Sequence, residues 1–391
     1  MKLPIVIHLG LLLTFLFSTV WLAVPATTQA KETNEIPIIT SSLTPAACEL
    51  RGVWLNYQAF ESKEAIADTL QVVSRANLNT IFALVPPIGT NRGWSEEAMF
   101  KRLMRRARAK GISVHGWVVN MHRPIGQRAD FTDPAEREAQ KQWVLDLLAK
   151  YPDLDGIHFD YIRYYDWDLI NNNGKMDGIT QTVAESYQAL KAKYPDKFMT
   201  AAIVKLDPVE ASFGQENVPQ WYLDWFARYP GNVYANPNGV GPHMVPRHLR
   251  YQQNPVEWLN SAIIDGIFGM QYTIDDDIWQ RDVRLWQSFL ENTDHAQKVY
   301  MGLGWLESSK RPDFAYDPPG LVRKINYGRA QGIRGFVIFE IAAFNERNKE
   351  LVEALTVDSE VNNFAAPFKT PAISCFTPIK SNIFLPILTK K

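Results

Sequence analysis

The sequence predicts an α/β protein whose main domain is a single (β/α)8 TIM barrel. Eight short runs rich in apolar, β-branched or aromatic residues recur along it, and segments with helical periodicity separate them. Strands that alternate with helices form right-handed βαβ units around a parallel sheet. Eight such units over about 300 residues match the size of one closed barrel.

The predicted strands are at 52–57, 78–86, 112–120, 154–164, 197–206, 264–273, 298–306 and 333–342. Several of the intervening segments open with Ser, Thr or Asp near a Pro or Glu and end on Gly or Pro, which are signals for helix start and stop. A doubly wound open sheet is the alternative. It lacks its usual support, because no G-x-G-x-x-G follows the first strand.

One connection is far longer than the others. Between the fifth and sixth strands lies a stretch rich in Pro, Gly and Asn, and structureless loops of that length are commonly functional or disordered. We expect it to form a wall or lid on the substrate side. The barrel is predicted to span 49–356, followed by a Pro-rich, extended tail over 357–391 whose apolar end packs on the barrel.

The N-terminus predicts export. Lys2 precedes a long apolar run that ends in small residues, the pattern of a secretory signal peptide over 1–30, with cleavage after Ala26 or Ala30. The run is also long enough to be a retained anchor. Residues 31–48 would form an N-terminal arm. No later segment is apolar enough to span a bilayer, and we expect an extracellular, periplasmic or envelope-associated protein.

The two cysteines, Cys48 and Cys375, flank nearly the whole predicted barrel. In an exported protein such a pair predicts one disulfide between the N-terminal arm and the C-terminal tail. The alternative is two unpaired thiols.

The charge balance and the composition limit the classes of partner that the protein is expected to bind. Lys and Arg total 41 against 42 Asp and Glu, which argues against nucleic acid as a partner. The chain also has 12 Trp, 15 Tyr and 20 Phe. Aromatic residues dominate protein cores, and those outside the core stack well on sugar rings. Nothing in the composition indicates an oligomeric state.

The stretch "DGIHFDYIRY" (155–164) reads as a buried strand that carries charged groups. By the two-residue period, His158 and Asp160 point into the barrel, with Asp160 near the C-terminal mouth where barrel active sites are built. Asp155 is expected to be structural, and Arg163 to clamp a carboxylate or orient Asp160. A carboxylate so placed suits acid/base or nucleophilic catalysis; a buried ion pair is the alternative.

This stretch resembles the signature of the family 10 glycosylhydrolase-like proteins, a group of exported bacterial barrels. "LRGVWLNY", "VHGWVVN" and "GMQYT" match in order, so the resemblance covers roughly residues 49–345. It implies a glycoside hydrolase that acts on extracellular or cell-wall polysaccharide, including the glycan strands of peptidoglycan in at least one branch. Carried over by position, the implied site residues are Asp160, Tyr161, Arg163, His115, Trp117 and Tyr272.

The chain departs from that family at two places and from chitinase-type barrels at two others. Tyr165 and Gly269 stand where the family usually has Pro. Against the chitinase motif D-G-x-D-x-D-x-E, His158 replaces the middle Asp and Ile162 the Glu. The latter argues against substrate-assisted chitinase chemistry.

Glycoside hydrolysis usually needs a second carboxylate. The sequence leaves three options at the catalytic face: Glu307, Glu340, and the trio Asp275, Asp276 and Asp277. The resemblance does not choose among them, since the family does not usually carry Glu at position 340.

An aromatic and polar ring is expected around Asp160 for sugar binding. It would comprise Trp54, Asn56, His115, Trp117, His158, Tyr161, Arg163 and Tyr272. Such pockets combine apolar walls with a few placed polar groups. The alternative for Trp117 is that it faces the helices as core.

No cofactor or metal is predicted as essential. The segment 166–178 offers calcium-type oxygen ligands in Asp166, Asp168, Asn171, Asn173 and Asp177, but it fails the EF-hand pattern. A metal-dependent deacetylase would need His115, His122 and His158 to converge. A catalytically silent carbohydrate-binding barrel is the main rival to the hydrolase.

Overall fold

The structure is a computed structural model. It describes residues 48–85, 94–120, 129–164, 174–206, 208–210, 244–246, 249, 251–290, 294–305, 317–341, 346–361 and 364–376. All of them belong to one compact unit, Pro45–Lys391.

The described strands, in chain order, are β1 (Leu50–Leu55), β2 (Thr80–Leu84), β3 (Ser113–Val119), β4 (Gly156–Asp160), β5 (Phe198–Val204), β6 (Pro208–Glu210), β7 (Met244–Pro246), β8 (Gly266–Met270), β9 (Val299–Gly304) and β10 (Gly335–Ile341). All but β6 and β7 are parallel and close into a barrel, in the order β1-β10-β9-β8-β5-β4-β3-β2. This confirms the predicted (β/α)8 TIM barrel. The short β6 and β7 form an antiparallel pair within the long connection between β5 and β8.

A helix follows each barrel strand: α1 (Lys63–Arg75), α2 (Trp94–Arg108), α3 (Pro134–Lys150), α4 (Lys175–Lys193), α5 (Pro255–Asn260), α6 (Asp276–Leu290), α7 (Pro318–Ala330) and α8 (Glu346–Thr356). Residues that signal helix starts in the sequence do cap helices in the structure. The side chains of Ser62, Asp133 and Asp317 each accept a hydrogen bond from a backbone N–H in the first turn of the helix that follows.

Aromatic rings fill most of the barrel interior, with two branched aliphatic residues among them. Its buried inward-facing cluster is Leu50, Trp54, Phe82, Trp117, Phe268, Tyr300, Val337 and Phe376. Alternate residues on the same strands pack outward under the helices. Trp117 therefore faces the interior, and its alternative placement against the helices is wrong.

Strand glycines leave room for these large rings. A Cβ on Gly156 would lie 2.6 Å from His115 Nδ1, and one on Gly302 would lie 3.3 Å from Trp54 Cη2. Both are closer than side-chain carbons normally pack, so any larger residue would displace a ring. The aromatic filling of the interior therefore depends on small residues at these two positions.

The C-terminal segment closes the end of the barrel opposite the mouth. The ring of Phe376 lies 5.3 Å from that of His115 and 5.2 Å from that of Tyr300. Ser374 Oγ is 2.7 Å from Thr80 Oγ1, and Cys375 forms a disulfide with Cys48, with a Cα–Cα distance of 5.0 Å. The predicted pairing of the two cysteines is thus present. The tail beyond residue 376 lies outside the described residues.

Within the described part of the chain, no helix combines the length and the apolar character needed to cross a membrane.

Removing the disulfide should destabilise the barrel. The cysteines are 327 positions apart, and in the loop-entropy view a cross-link over so long a loop restricts the unfolded chain strongly. We expect the Cys48→Ser, Cys375→Ser double variant to lose about 2–4 kcal/mol of unfolding free energy, measured by denaturant titration. The wild type in excess reductant is the control and should lose a similar amount. An unchanged midpoint in both would show that the cross-link contributes nothing.

Candidate functional site

Asp160 ends β4 at the mouth of the barrel and is only 6% exposed. Its Oδ2 accepts a hydrogen bond from Trp117 Nε1 at 3.1 Å, and its Oδ1 accepts one from the Tyr161 backbone N–H at 2.7 Å. Burial raises the pKa of Asp160, while the charge of Arg163 and the two hydrogen bonds oppose that rise. Both partners of the carboxyl group are donors with no acceptor capacity, so the arrangement is satisfied by the ionised form.

The chain turns sharply just after this carboxylate. Tyr161 has a φ of 54°, in the left-handed region that costs free energy for a residue with a side chain. The guanidinium of Arg163 lies 4.2 Å from the centre of the Tyr161 ring and 5.6 Å from that of Tyr251. Stacking on aromatic rings holds a positive charge close enough to Asp160 to favour its ionised form.

Glu340 is the second carboxylate that the structure brings to the mouth. It lies half-buried near the end of β10. Burial raises its pKa, and a hydrogen bond from the Asn56 side chain opposes the rise. Asn56 Oδ1 accepts from the Gln58 backbone N–H at 3.3 Å, which leaves the amide NH2 as the donor to Glu340.

Tyr272 lies within the electrostatic reach of both carboxylates. Burial is the main reason that its pKa is raised well above the usual value, and the negative charges of Asp160 and Glu340 raise it further. Its ring centre is 5.4 Å from that of Phe339. Asp160 and Glu340 are therefore both near enough to Tyr272 for their charges to act on its phenol.

Below this site, His158 and Trp54 form a buried layer. Trp54 Nε1 donates to His158 Nε2 at 3.1 Å, and His158 Nδ1 lies 2.9 Å from Thr200 Oγ1. Because Nε2 accepts, the hydrogen-bond network assigns the single ring proton to Nδ1. Burial lowers the pKa of His158 well below its usual value, which keeps the ring neutral. With Trp54 1% exposed and His158 fully buried, the prediction that they bind substrate does not hold.

His115 lies deeper still. It is fully buried, and its ring centre lies 5.2 Å from that of Phe82 and 5.3 Å from that of Phe376. Within the described part of the chain, neither ring nitrogen has a hydrogen-bond partner. Burial, helped by the charge of Lys197, lowers the pKa of His115 to about 3. It packs at the closed end of the barrel and not beside Asp160, so its predicted role in sugar binding is also wrong.

The three aspartates after β8 lie at the start of α6, where they have structural contacts. Asp275 Oδ1 accepts from the backbone N–H groups of Asp277 and Ile278, which caps α6. Asp276 pairs with Arg323 at 2.6 Å and with Lys324 at 2.8 Å, and Asp277 is exposed. These contacts give no support to the trio as the second carboxylate. Glu307 lies outside the described residues and stays a prediction.

Metal binding finds no support among the residues that the structure describes, which contain no group of three or more His, Cys, Asp or Glu side chains able to hold an ion. His122 and the predicted calcium ligands Asp166, Asp168, Asn171 and Asn173 lie outside the described residues. Asp177 is in the first turn of α4.

One central residue of the site was not foreseen from the sequence. The ring of Phe339 lies 5.9 Å from that of Trp54 and 6.3 Å from that of Trp117, in addition to its contact with Tyr272. Its ring lies beneath the aromatic side chains at the mouth. The register of β1 against β10 shifts here, with Leu55 opposite Ile341. The inward position of Phe339 could be read from the period of β10, but the shift that also leaves Glu340 at the mouth could not.

No family model and no curated protein matches the chain. Solved structures do. The C-terminal domain of a protein assigned as a chitinase from Desulfitobacterium hafniense DCB-2 aligns with a TM-score of 0.51 at 13% identity, over 79% of this chain and 99% of that one. The Group IV chitinase of Ostrinia furnacalis aligns at 0.50 and 9% identity, over 78% and 98%. A β-galactosidase from Rahnella sp. R3 aligns at 0.50 and 12%, over 80% and 56%. The shared feature is the fold: this chain and these three structures share a (β/α)8 barrel.

His115 should make the protein sensitive to acid. Its pKa is about 3 in the folded state and about 6.5 in an unfolded chain. The contribution of neutral His115 to the unfolding free energy is therefore fully present above about pH 6.5. It is lost as the pH falls, because the unfolded state binds the proton first. Between neutral pH and about pH 4.5, wild type should lose about 2–3 kcal/mol more unfolding free energy than a His115→Leu variant. Parallel losses in denaturant titrations of both proteins would contradict this account.

Proposed function

We propose that this protein is an exported glycoside hydrolase that cleaves an extracellular or cell-wall polysaccharide. The observation that carries the proposal is the pair of carboxyl groups formed by buried Asp160 and half-buried Glu340, whose charges both act on Tyr272 at the barrel mouth. Two carboxyl groups at one pocket are the usual requirement for hydrolysis of a glycosidic bond. The resemblance of the β4 segment to the family 10 glycosylhydrolase-like signature supports the same function.

The hydrogen bonds suggest how the two groups divide the work. Asp160 receives two donors, so it acts as the ionised group, either attacking the anomeric carbon or taking a proton from water. Burial raises the pKa of Glu340 more than the single hydrogen bond from Asn56 lowers it, so Glu340 acts as the acid that protonates the leaving oxygen. Opposite protonation states in two neighbouring carboxyl groups are what this chemistry needs.

The surroundings suit a sugar ring. Trp117, Tyr161, Tyr272 and Phe339 offer aromatic faces, while the carboxyl groups and Arg163 offer polar contacts. Binding sites for small polar ligands have this composition of apolar walls and few directed polar groups. The chitinase names of two structural neighbours and the predicted signal peptide favour an envelope or extracellular polysaccharide, including peptidoglycan strands.

Asp160→Asn and Glu340→Gln should each reduce turnover about a hundredfold or more, because each removes one proton-transfer or nucleophilic role without changing shape. The assay is release of reducing ends from a panel of polysaccharides that includes peptide-free peptidoglycan strands. Asp275→Asn is the matched control: it neutralises a carboxylate at the same end of the barrel but keeps a side chain that can cap α6, and it should retain full activity.

Three results would change the proposal. Unaltered activity in Asp160→Asn removes this residue from the mechanism. If no glycan is cleaved, but isothermal titration shows a glycan bound to wild type, the protein is the catalytically silent binding barrel. Glu307→Gln belongs in the same series, since a loss there with full activity in Glu340→Gln would make Glu307 the second carboxylate.

The hydrogen bond from Trp117 should set the pH profile. It lowers the pKa of Asp160, and activity that needs ionised Asp160 rises with pH through that pKa. Trp117→Phe removes the N–H and keeps the ring, so the acidic limb of kcat/KM should move to higher pH. Trp54→Phe removes another buried indole donor, the one that bonds to His158, and should leave the limb in place. A limb that moves equally in both variants would exclude a specific effect of Trp117.

A further inference from the structure

The outer face of α2 carries a concentration of positive charge. Residues 101–110, "KRLMRRARAK", contain six cations and no acid, although the whole chain is almost neutral. Arg105, Arg106 and Lys110 are all exposed. We call these three residues the basic face.

Neighbouring cations on α2 are neutralised, but the basic face is not. Lys101 pairs with Glu97 at 2.7 Å, and Arg108 pairs with Asp153. Among the residues described by the structure, no acidic side chain forms an ion pair with Arg105, Arg106 or Lys110. The three charges therefore remain available to a partner.

The stability of the helix does not explain this charge. Cations near a helix C-terminus interact favourably with the dipole. Like charges four positions apart repel by a similar amount, and such pairs occur at Lys101–Arg105 and Arg106–Lys110. A purely structural surface would gain more from alternating signs, as at Glu97 and Lys101.

We propose that the basic face binds an anionic polysaccharide through its carboxylate or phosphate groups. Arg105 and Arg106 lie in the last turn of α2, and Lys110 lies two residues beyond its end. This short row of cations fits a linear polymer. A membrane surface is a poorer fit, because interfacial helices normally add apolar side chains that insert between headgroups. The large apolar residues exposed in the described part of the chain are Ile274, Val357, Val361 and Ile373, none of them on α2.

This binding surface is independent of the proposed hydrolase activity. The basic face lies at the C-terminal end of α2, just before β3 begins, and so at the end of the barrel where the strands start. Asp160 lies at the other end of the barrel, where β4 ends. A polymer bound there would hold the protein on an anionic matrix while the mouth stays open.

The test uses the full chain, with polygalacturonate and poly(glycerol phosphate) as probes and dextran as the neutral polymer, in affinity electrophoresis. Wild type should bind at least one polyanion, and binding should weaken with salt because bound counterions are released. The triple variant Arg105→Gln, Arg106→Gln, Lys110→Gln should lose affinity about tenfold at low ionic strength. The matched control removes the same charge elsewhere, by Lys63→Gln, Lys193→Gln and Arg284→Gln, and should keep wild-type affinity.

Three results would overturn the proposal: no retardation of wild type by either polyanion, an equal loss in the triple variant and the control, or binding that survives in the triple variant. Vesicles of phosphatidylglycerol and phosphatidylcholine form the last arm. If the triple variant loses a preference for the anionic vesicles but binds the polymers as wild type does, the partner is a membrane. The triple variant relieves charge repulsion on the helix and should melt no lower than wild type, and turnover of a small soluble glycoside cleaved by wild type should not change.

Discussion

The hydrogen bond from Trp117 to Asp160 joins the packing of the barrel interior to the chemistry at its mouth. A Trp ring fills space that a closed barrel must fill, but its N–H needs an acceptor once buried. Asp160 is the stronger acceptor when it is ionised, and the Tyr161 N–H adds a second donor to the same carboxyl group. Side-chain packing thus helps to choose the protonation state of the proposed catalytic carboxylate.

The need of a buried N–H group for an acceptor also determines the contacts in the layer below Asp160. The indole of Trp54 bonds to His158, and His158 in turn lies against Thr200. Below that layer, His115 lies near the rings of Phe82 and Phe376 and stays neutral because burial lowers its pKa. The interior therefore changes in steps from dry at the closed end to polar at the mouth. The ionisable groups change their role along that axis, from packing to chemistry.

The sequence predicted much of the fold, because period and capping are local properties. The barrel strands, the inward direction of Asp160 and Trp117, and the capping residues Ser62 and Asp133 follow from short stretches of chain. The depth of a side chain along the barrel axis does not follow from a short stretch of chain. His115 and Trp117 share a face of β3, yet they contact opposite ends of the interior, because that depends on the stagger between neighbouring strands.

The second carboxylate shows the same limit. Glu340 reaches the mouth where β1 and β10 shift register, and Asp275 is held by α6 itself. Both facts depend on contacts between residues or on local geometry that a list of acidic positions does not contain. The sequence therefore predicts a set of acidic residues without ranking them, and within the described residues the structure brings Glu340 to the mouth.

Closure of the barrel has a consequence for how the chain is made. The first strand pairs with the last, with Leu50 opposite Gly335, and the segment that seals the far end comes later still. An emerging chain cannot complete this ring, since contacts between its two ends form only once nearly all of it is available. Until then, β1 lacks one neighbour and the nascent protein has no finished core. Such late completion fits the export proposed for this protein, because a barrel that closes late leaves the chain unfolded while it crosses a membrane.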